Sequence, residues 1–262
     1  MKTQGNEKVP GIVRFDRTEA AYDGFVHVLR EMIEREGCGK VLDVGGGAQP
    51  MLSVEYVQQK GLEYTVLDIS EEELARAPGE YRKVVGDIAG SGVEVGVMYD
   101  LVFSRFMAEH VRDARQLHQN VFDALRPGGI AFHFFPTLFA LPFLVNWLLP
   151  EAVAVFFLPK ARRQRGKFAA YYQWCVGPSA AAIARFSGLG YEVVEYAGFF
   201  GHGYYDGIPV LRTLHGEVRK LLLRRPVTAL TSFAWVILKK PDDGAVTVHG
   251  KKRVAGPGEA KA

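Results

Sequence analysis

Residues Val41-Leu42-Asp43-Val44-Gly45-Gly46-Gly47-Ala48-Gln49-Pro50 decide the fold. A short apolar run carries one acid, breaks into three glycines and meets a proline. The run reads as a buried parallel strand. The glycines read as a tight turn whose backbone can approach a ligand, and Pro50 as the opening of a helix. In open α/β sheets a nucleotide-like ligand sits at such a turn.

Strand and helix alternate on both sides of this stretch. Upstream, residues 1–14 read as a loose arm, and Asp16 with Glu19 as a capping box. Tyr22, Phe25, Leu29, Met32 and Ile33 recur at helical spacing, so that helix lays one face on the core. Downstream, Gly61 is the expected end of the helix that Pro50 starts. Glu63–Asp68 is expected as the second strand, and Ser70 with Glu73 as a second capping box. Tyr81–Val85, Tyr99–Ser104 and Ile130–Phe135 follow as strands three to five, with a helix over 111–125 between the last two. Pro178 opens an alanine-rich helix, Tyr191–Tyr196 is strand six, 208–225 an amphipathic helix and Ser232–Lys239 strand seven. The expectation is α/β: a doubly wound, seven-stranded, Rossmann-like sheet in one domain over residues 1–240. Residues 241–262, rich in Gly, Pro and Lys, are expected to be a disordered tail.

Composition narrows the class. The chain has 262 residues, 48% hydrophobic and 23% charged, enough for one α/β domain with insertions. A net charge of +3 is too mild to argue for nucleic acid. Cys38 and Cys175 form no CxxC spacing, which argues against a disulfide framework and a metal site, and for a reducing, cytoplasmic setting. Met1–Pro10 lacks the apolar core of a signal peptide. Residues 130–150 are apolar but interrupted by Pro136, Pro142 and Asn146, which argues against a spanning helix.

The glycine turn alone is weak. The dinucleotide fingerprint G-x-G-x-x-G would need a glycine where Pro50 stands, and Asp43 lies ahead of the glycines. The stretch resembles instead motif I of the class I S-adenosylmethionine-dependent methyltransferases, hhDhGxGxG, with Gln49 at its last glycine. Further matches follow in order: Val66-Leu67-Asp68-Ile69-Ser70, Gly86-Asp87-Ile88, Tyr99–Ser104 with Glu109-His110, and Leu125-Arg126-Pro127-Gly128-Gly129. The resemblance is strong over residues 20–135 and to the small-molecule members of the family. It implies S-adenosylmethionine as cofactor, bound by Asp43, Gly45, Gly46, Gly47, Asp68, Ile69, Asp87, Ile88 and Ser104. Asp68 would hold the ribose hydroxyls, or else only cap a helix; Asp87 would hold the adenine, or else only make a turn. Glu109 and His110 read as helix caps, and Arg126 as a solvated side chain.

Two insertions hang over the ligand-binding edge: 137–177 after strand five and 197–231 between strands six and seven, the last strand being antiparallel in the family. They suggest a lid and an acceptor pocket. The apolar, aromatic run Leu138–Leu149 fits a small hydrophobic or lipid-like acceptor, methylated at oxygen. With Lys160, Arg162, Arg163, Arg165 and Lys167 it also fits peripheral contact with an anionic membrane; plain core packing with a solvated basic face fits equally. His202, between two glycines at the end of strand six, is the best-placed general base; His133 and Tyr205 are the other candidates, His133 lying mid-strand where a core role competes. Two other readings remain: a nicotinamide-dependent Rossmann oxidoreductase, and a non-catalytic, cofactor-binding member of the methyltransferase fold.

Overall fold

A computed structural model describes residues 12–91, 96, 98–138, 169–203 and 209–242. Eight strands form one sheet: β1 (Val13–Arg17), β2 (Lys40–Val44), β3 (Glu63–Asp68), β4 (Arg82–Val85), β5 (Tyr99–Arg105), β6 (Leu125–Pro136), β7 (Glu192–Phe200) and β8 (Phe233–Lys239). Their order across the sheet is β1-β7-β8-β6-β5-β2-β3-β4. Among the described residues six α-helices connect them: α1 (Thr18–Arg35), α2 (Val54–Lys60), α3 (Glu71–Arg76), α4 (Ala114–Ala124), α5 (Ala180–Ser187) and α6 (Pro209–Arg224). Only β8 runs antiparallel, between β6 and β7. The expected parallel sheet with an antiparallel last strand is therefore present.

The eighth strand is a correction. Residues 13–17 are a strand, not a loose arm, and β1 pairs in parallel with β7, Val13 against Tyr196 through Arg17 against Phe200. Pairing covers the edge of β7 that would otherwise be bare. The Arg14 guanidinium fixes the register by donating to Glu195 Oε1 at 2.8 Å, and the Trp235 indole N–H donates to the same oxygen at 2.6 Å. Asp16 lies in this strand, so the expected capping box is not formed, and α1 begins after Arg17 without a side-chain cap.

Three other boundaries move. Pro50 does not open a helix; Ser53 does, its hydroxyl accepting from the Tyr56 N–H at 3.3 Å. Gly61 closes α2 in the left-handed region at φ 62°, as expected. Asp113 caps α4 by accepting from the Gln116 N–H, the role expected of Glu109 and His110. Arg126 is not simply solvated: its guanidinium pairs with Asp100, whose other oxygen accepts from the Gly39 and Lys40 N–H groups. That arrangement ties the start of β6 to the start of β2. The Ser70 cap on α3 forms as expected.

The core is aromatic. Phe25 of α1 packs on Phe132, Phe134 and Phe103, with ring centroids 4.6, 5.6 and 6.3 Å away. Residues 139–168 and 204–208 and the tail from 243 lie outside the described residues, and with them most of the first insertion and Tyr205. Among the described residues no helix is long and apolar enough to cross a membrane. Phe25→Ala removes a fully buried ring from this cluster and should cost about 3–5 kcal/mol of stability, readable as a shift of the urea midpoint at unchanged slope.

Candidate functional site

The sheet order reverses between β3 and β5, with β2 at the switch point. Ligands of open α/β sheets bind outside the carboxyl ends of the strands there. A cleft of about 220 Å³ opens at that place, lined by Asp43, Gly45, Gly46, Gln49, Met51, Arg105 and Phe106.

Asp43 holds the cleft floor. It is buried, and its Oδ2 accepts from the Tyr64 hydroxyl at 2.5 Å and from the Met51 N–H at 3.0 Å. Burial pushes its pKa up to about 6, against the pull of those two hydrogen bonds, and the nearby Asp68 carboxylate adds to the rise. The glycines follow from this crowding. A Cβ on Gly46 would lie 2.8 Å from Val66 Cγ1 and 2.9 Å from the Asp43 carboxyl; one on Gly45 would lie 2.6 Å from Met107 Cγ. Gly45 also sits at φ 78°, a backbone state that side chains disfavour. The Gly45 N–H donates to Leu67 O at 2.7 Å, so it closes the turn rather than facing a ligand.

Asp68 ends β3 on the far side of the turn. Its Oδ1 accepts from the Ser70 N–H at 2.9 Å, while its Oδ2 faces Gly47, 3.2 Å from where a Cβ would stand. Capping and facing the turn are thus shared between two oxygens of one carboxylate. Beside it Ile69 is 72% exposed, an apolar surface on the rim. The 86–90 loop is a tight turn: exposed Asp87 accepts from the Ala89 N–H, and Ile88 is buried. Asn120 of α4 holds that loop, donating to Ile88 O at 2.7 Å and Gly90 O at 2.9 Å. Asn120, Tyr64 and Arg105 are functional-edge residues that the sequence reading missed. Tyr64 and Asn120 reach the site from one strand or helix away, which no local motif signals.

The acid–base candidates are not brought together. His133 is fully buried beneath the sheet, with Nδ1 2.8 Å from the Ser104 hydroxyl and Nε2 without a partner among the described residues. Burial lowers its pKa to about 4. Ser104 is likewise buried, so both point into the core rather than into the cleft. His202 follows β7, and its ring lies 4.1 Å from that of His215 on α6. Three strands separate β7 from β2, which at about 4.8 Å per strand is roughly 19 Å. Glu109, which the sequence marks only as part of the fourth-strand match and as a helix cap, is a buried carboxyl. Its Oε2 has no hydrogen-bond partner, and burial pushes its pKa up to about 8.

Residues 16–195 match a family described as a methyltransferase domain. The chain belongs to that family. Its fold is shared with an S-adenosylmethionine-dependent methyltransferase from Mesorhizobium loti, 18% identical, covering 83% of this chain and 99% of that one, at a TM-score of 0.53. A second from Clostridium acetobutylicum is 11% identical, covering 84% and 92%, at 0.54. The [4+2]-cyclase SpnF is 13% identical, covering 86% and 84%, at 0.51. No curated protein matches the sequence. The family implies S-adenosylmethionine, and the residues present fit it: a glycine cradle that any Cβ would fill, between a buried acid and a strand-end carboxylate.

Glu109 supplies a pH test. In the unfolded chain it loses its proton near the usual 4.5, whereas in the fold it keeps it to about 8. The stability it contributes is therefore complete below pH 4.5 and is lost as pH rises toward 8. Glu109→Gln does not titrate, so it should melt close to wild type at pH 4.5 and gain about 4 kcal/mol over it by pH 8. Parallel melting curves across that range measure the difference.

Proposed function

We propose that this protein transfers a methyl group from S-adenosylmethionine to an oxygen of a small, hydrophobic or lipid-like acceptor. The observation that carries the reading is the glycine turn held between Asp43 and Asp68 at the sheet's switch point. Asp68 Oδ2 takes ribose hydroxyls in charge-assisted hydrogen bonds, Ile69 offers an apolar face to the adenine, and the pinned 86–90 loop closes that end. The cofactor, when bound, supplies the activated methyl group. The protein's part is to align the acceptor for in-line displacement and to exclude water.

The cleft wall supports an apolar acceptor. Phe106 lines it and packs at a tilt against Tyr22, Phe134 and Phe233, with centroids 5.4, 4.8 and 5.9 Å away. A hydroxyl suits this lining better than an ammonium, because the one carboxyl lining the cleft among the described residues, Asp43, already accepts two hydrogen bonds. His133 and His202 have no part in this scheme, the first being sealed in the core and the second lying strands away. Retention of Asp43, Gly45, Gly47 and Asp68 speaks against a member that has lost its cofactor.

Calorimetry with S-adenosylhomocysteine and with nicotinamide dinucleotides tests the cofactor. S-adenosylhomocysteine should bind, and Asp68→Ala should weaken it about 10–100-fold, the worth of a lost charged hydrogen bond. Binding of only a nicotinamide dinucleotide would sink the proposal.

A peripheral membrane setting is part of the proposal, and α6 supports it. Val210, Leu214, Val218 and Leu221 recur on one face and are 77%, 61%, 44% and 60% exposed. The opposite side docks instead, through His215 and through Arg219, which donates to Glu19 at 2.6 Å. An amphipathic helix with its apolar stripe outward, carrying Arg212, Lys220 and Arg224 besides the docked Arg219, against one acid, Glu217, suits an anionic bilayer. Leu214→Asp with Leu221→Asp should abolish flotation with phosphatidylserine-containing vesicles while leaving the melting temperature unchanged. Equal flotation of variant and wild type would rule α6 out as the contact.

A further inference from the structure

Arg105 is the one charged group in the cleft whose presence nothing above explains. It ends β5, beside the glycine turn, and lines the cleft with Gly45, Gly46 and Asp43. Its side chain is half-buried, and burial lowers its pKa from the usual value. A guanidinium carries five donors, and a buried charge is costly unless it is paired. Here no carboxylate lies within ion-pairing distance among the described residues; Asp43, in the same cleft, spends its hydrogen-bonding oxygen on Tyr64 and Met51. Nη1 reaches only the Met51 thioether, at 3.4 Å, a weak acceptor, and the buried Nε has no hydrogen-bond partner. What holds the group is aromatic: its central carbon stands 5.6, 5.7 and 5.1 Å from the ring centres of Tyr22, Phe25 and Phe106. Ring faces steady the charge and fix its direction, but they replace none of the strong hydrogen bonds that water would give.

The surroundings are short of other positive potential. A helix N-terminus usually meets the ligand directly after such a turn, and its field fades within one turn of helix. In this chain the turn runs on through Ala48–Leu52 before Ser53 caps α2. The Gly45 N–H is already taken by Leu67. An anion in this part of the cleft gains from a charged side chain beside the turn.

We propose that Arg105 anchors a carboxylate in the cleft, the amino-acid carboxylate of the cofactor. The adenosine end is accounted for by Asp68, Ile69 and the 86–90 loop on the β3–β4 side. Arg105 lies on the β5 side of the turn, where the amino-acid end must then extend. The assignment rests on the cofactor reading given above. An acidic group on the acceptor is the other source of the same chemistry.

Two ligands separate these cases: S-adenosylhomocysteine, which carries the carboxylate, and 5′-methylthioadenosine, which keeps the adenosine and thioether but lacks the amino-acid portion. Calorimetry on wild type, Arg105→Gln and Arg105→Lys is expected to show S-adenosylhomocysteine weakened about 10–100-fold by Gln and partly restored by Lys. Binding of 5′-methylthioadenosine should stay within about twofold of wild type in all three. An equal loss for both ligands would mean that Arg105 only shapes the cleft, and would overturn the proposal. Unchanged S-adenosylhomocysteine affinity would overturn it too, and would move the anion to the acceptor. A wild type that binds neither ligand would instead count against the cofactor reading itself.

Discussion

Two hydrogen bonds to one buried carboxyl organise this molecule's functional edge. Asp43 accepts from the Tyr64 hydroxyl on the neighbouring strand and from the Met51 N–H beyond the glycine turn. The first fixes the carboxyl against β3. The second folds the chain back after the glycines, so that Gly45 and Gly46 press on Met107 and Val66 with no room for a Cβ. A buried carboxyl without such donors would be a liability of several kcal/mol. With them it becomes the clasp of a turn that cannot relax without unpairing a buried group. Burial nonetheless outweighs both hydrogen bonds, and the carboxyl keeps its proton up to about pH 6.

The same clasp explains why the helix start moved. Pro50 is a fit first residue for a helix, and a reading of local preference stops there. The Met51 N–H, however, is needed by Asp43, and a chain bent toward that carboxyl cannot yet be helical. Helix α2 begins only at Ser53, whose hydroxyl supplies the cap. Local preference lost to a tertiary hydrogen bond whose acceptor lies eight residues back. The cost is a helix end set away from the ligand, and Arg105 stands where that potential is missing.

Most of the sheet was legible because parallel strands buried on both faces are continuous apolar runs bounded by glycine, proline and acids. Glu63–Asp68 shows it plainly, a run of Tyr64, Thr65, Val66 and Leu67 bounded by two acids. Strand β1 was not legible, because Val13-Arg14-Phe15-Asp16-Arg17 is short and half charged, and becomes a strand only when β7 presents an open edge and Glu195 takes Arg14. On the cofactor side, glycines and strand-end acids mark themselves, since their chemistry is local. The acceptor side is different. Whether His133 is a base or core depends on what covers it, and its burial beside Ser104 is set by tertiary packing that no spacing encodes.

That difference divides the carboxyl edge of the sheet into two halves with different physics. From β2 to β4 the edge is polar and backbone-rich, with the Asp43 and Asp68 carboxyls on either side of the glycine turn. From β5 through β6 the titratable groups are buried and held neutral: Glu109 is pushed toward its acid form, and His118 and His133 toward their unprotonated forms. Neutral, aromatic surroundings weaken water's competition for any charge brought into them. Arg105 stands at the seam between these halves, the one cation lining the cleft among the described residues, braced by rings that belong to the apolar side. A positively charged sulfur drawn between them would exchange water for aromatic faces on one side and keep its own carboxylate paired on the other.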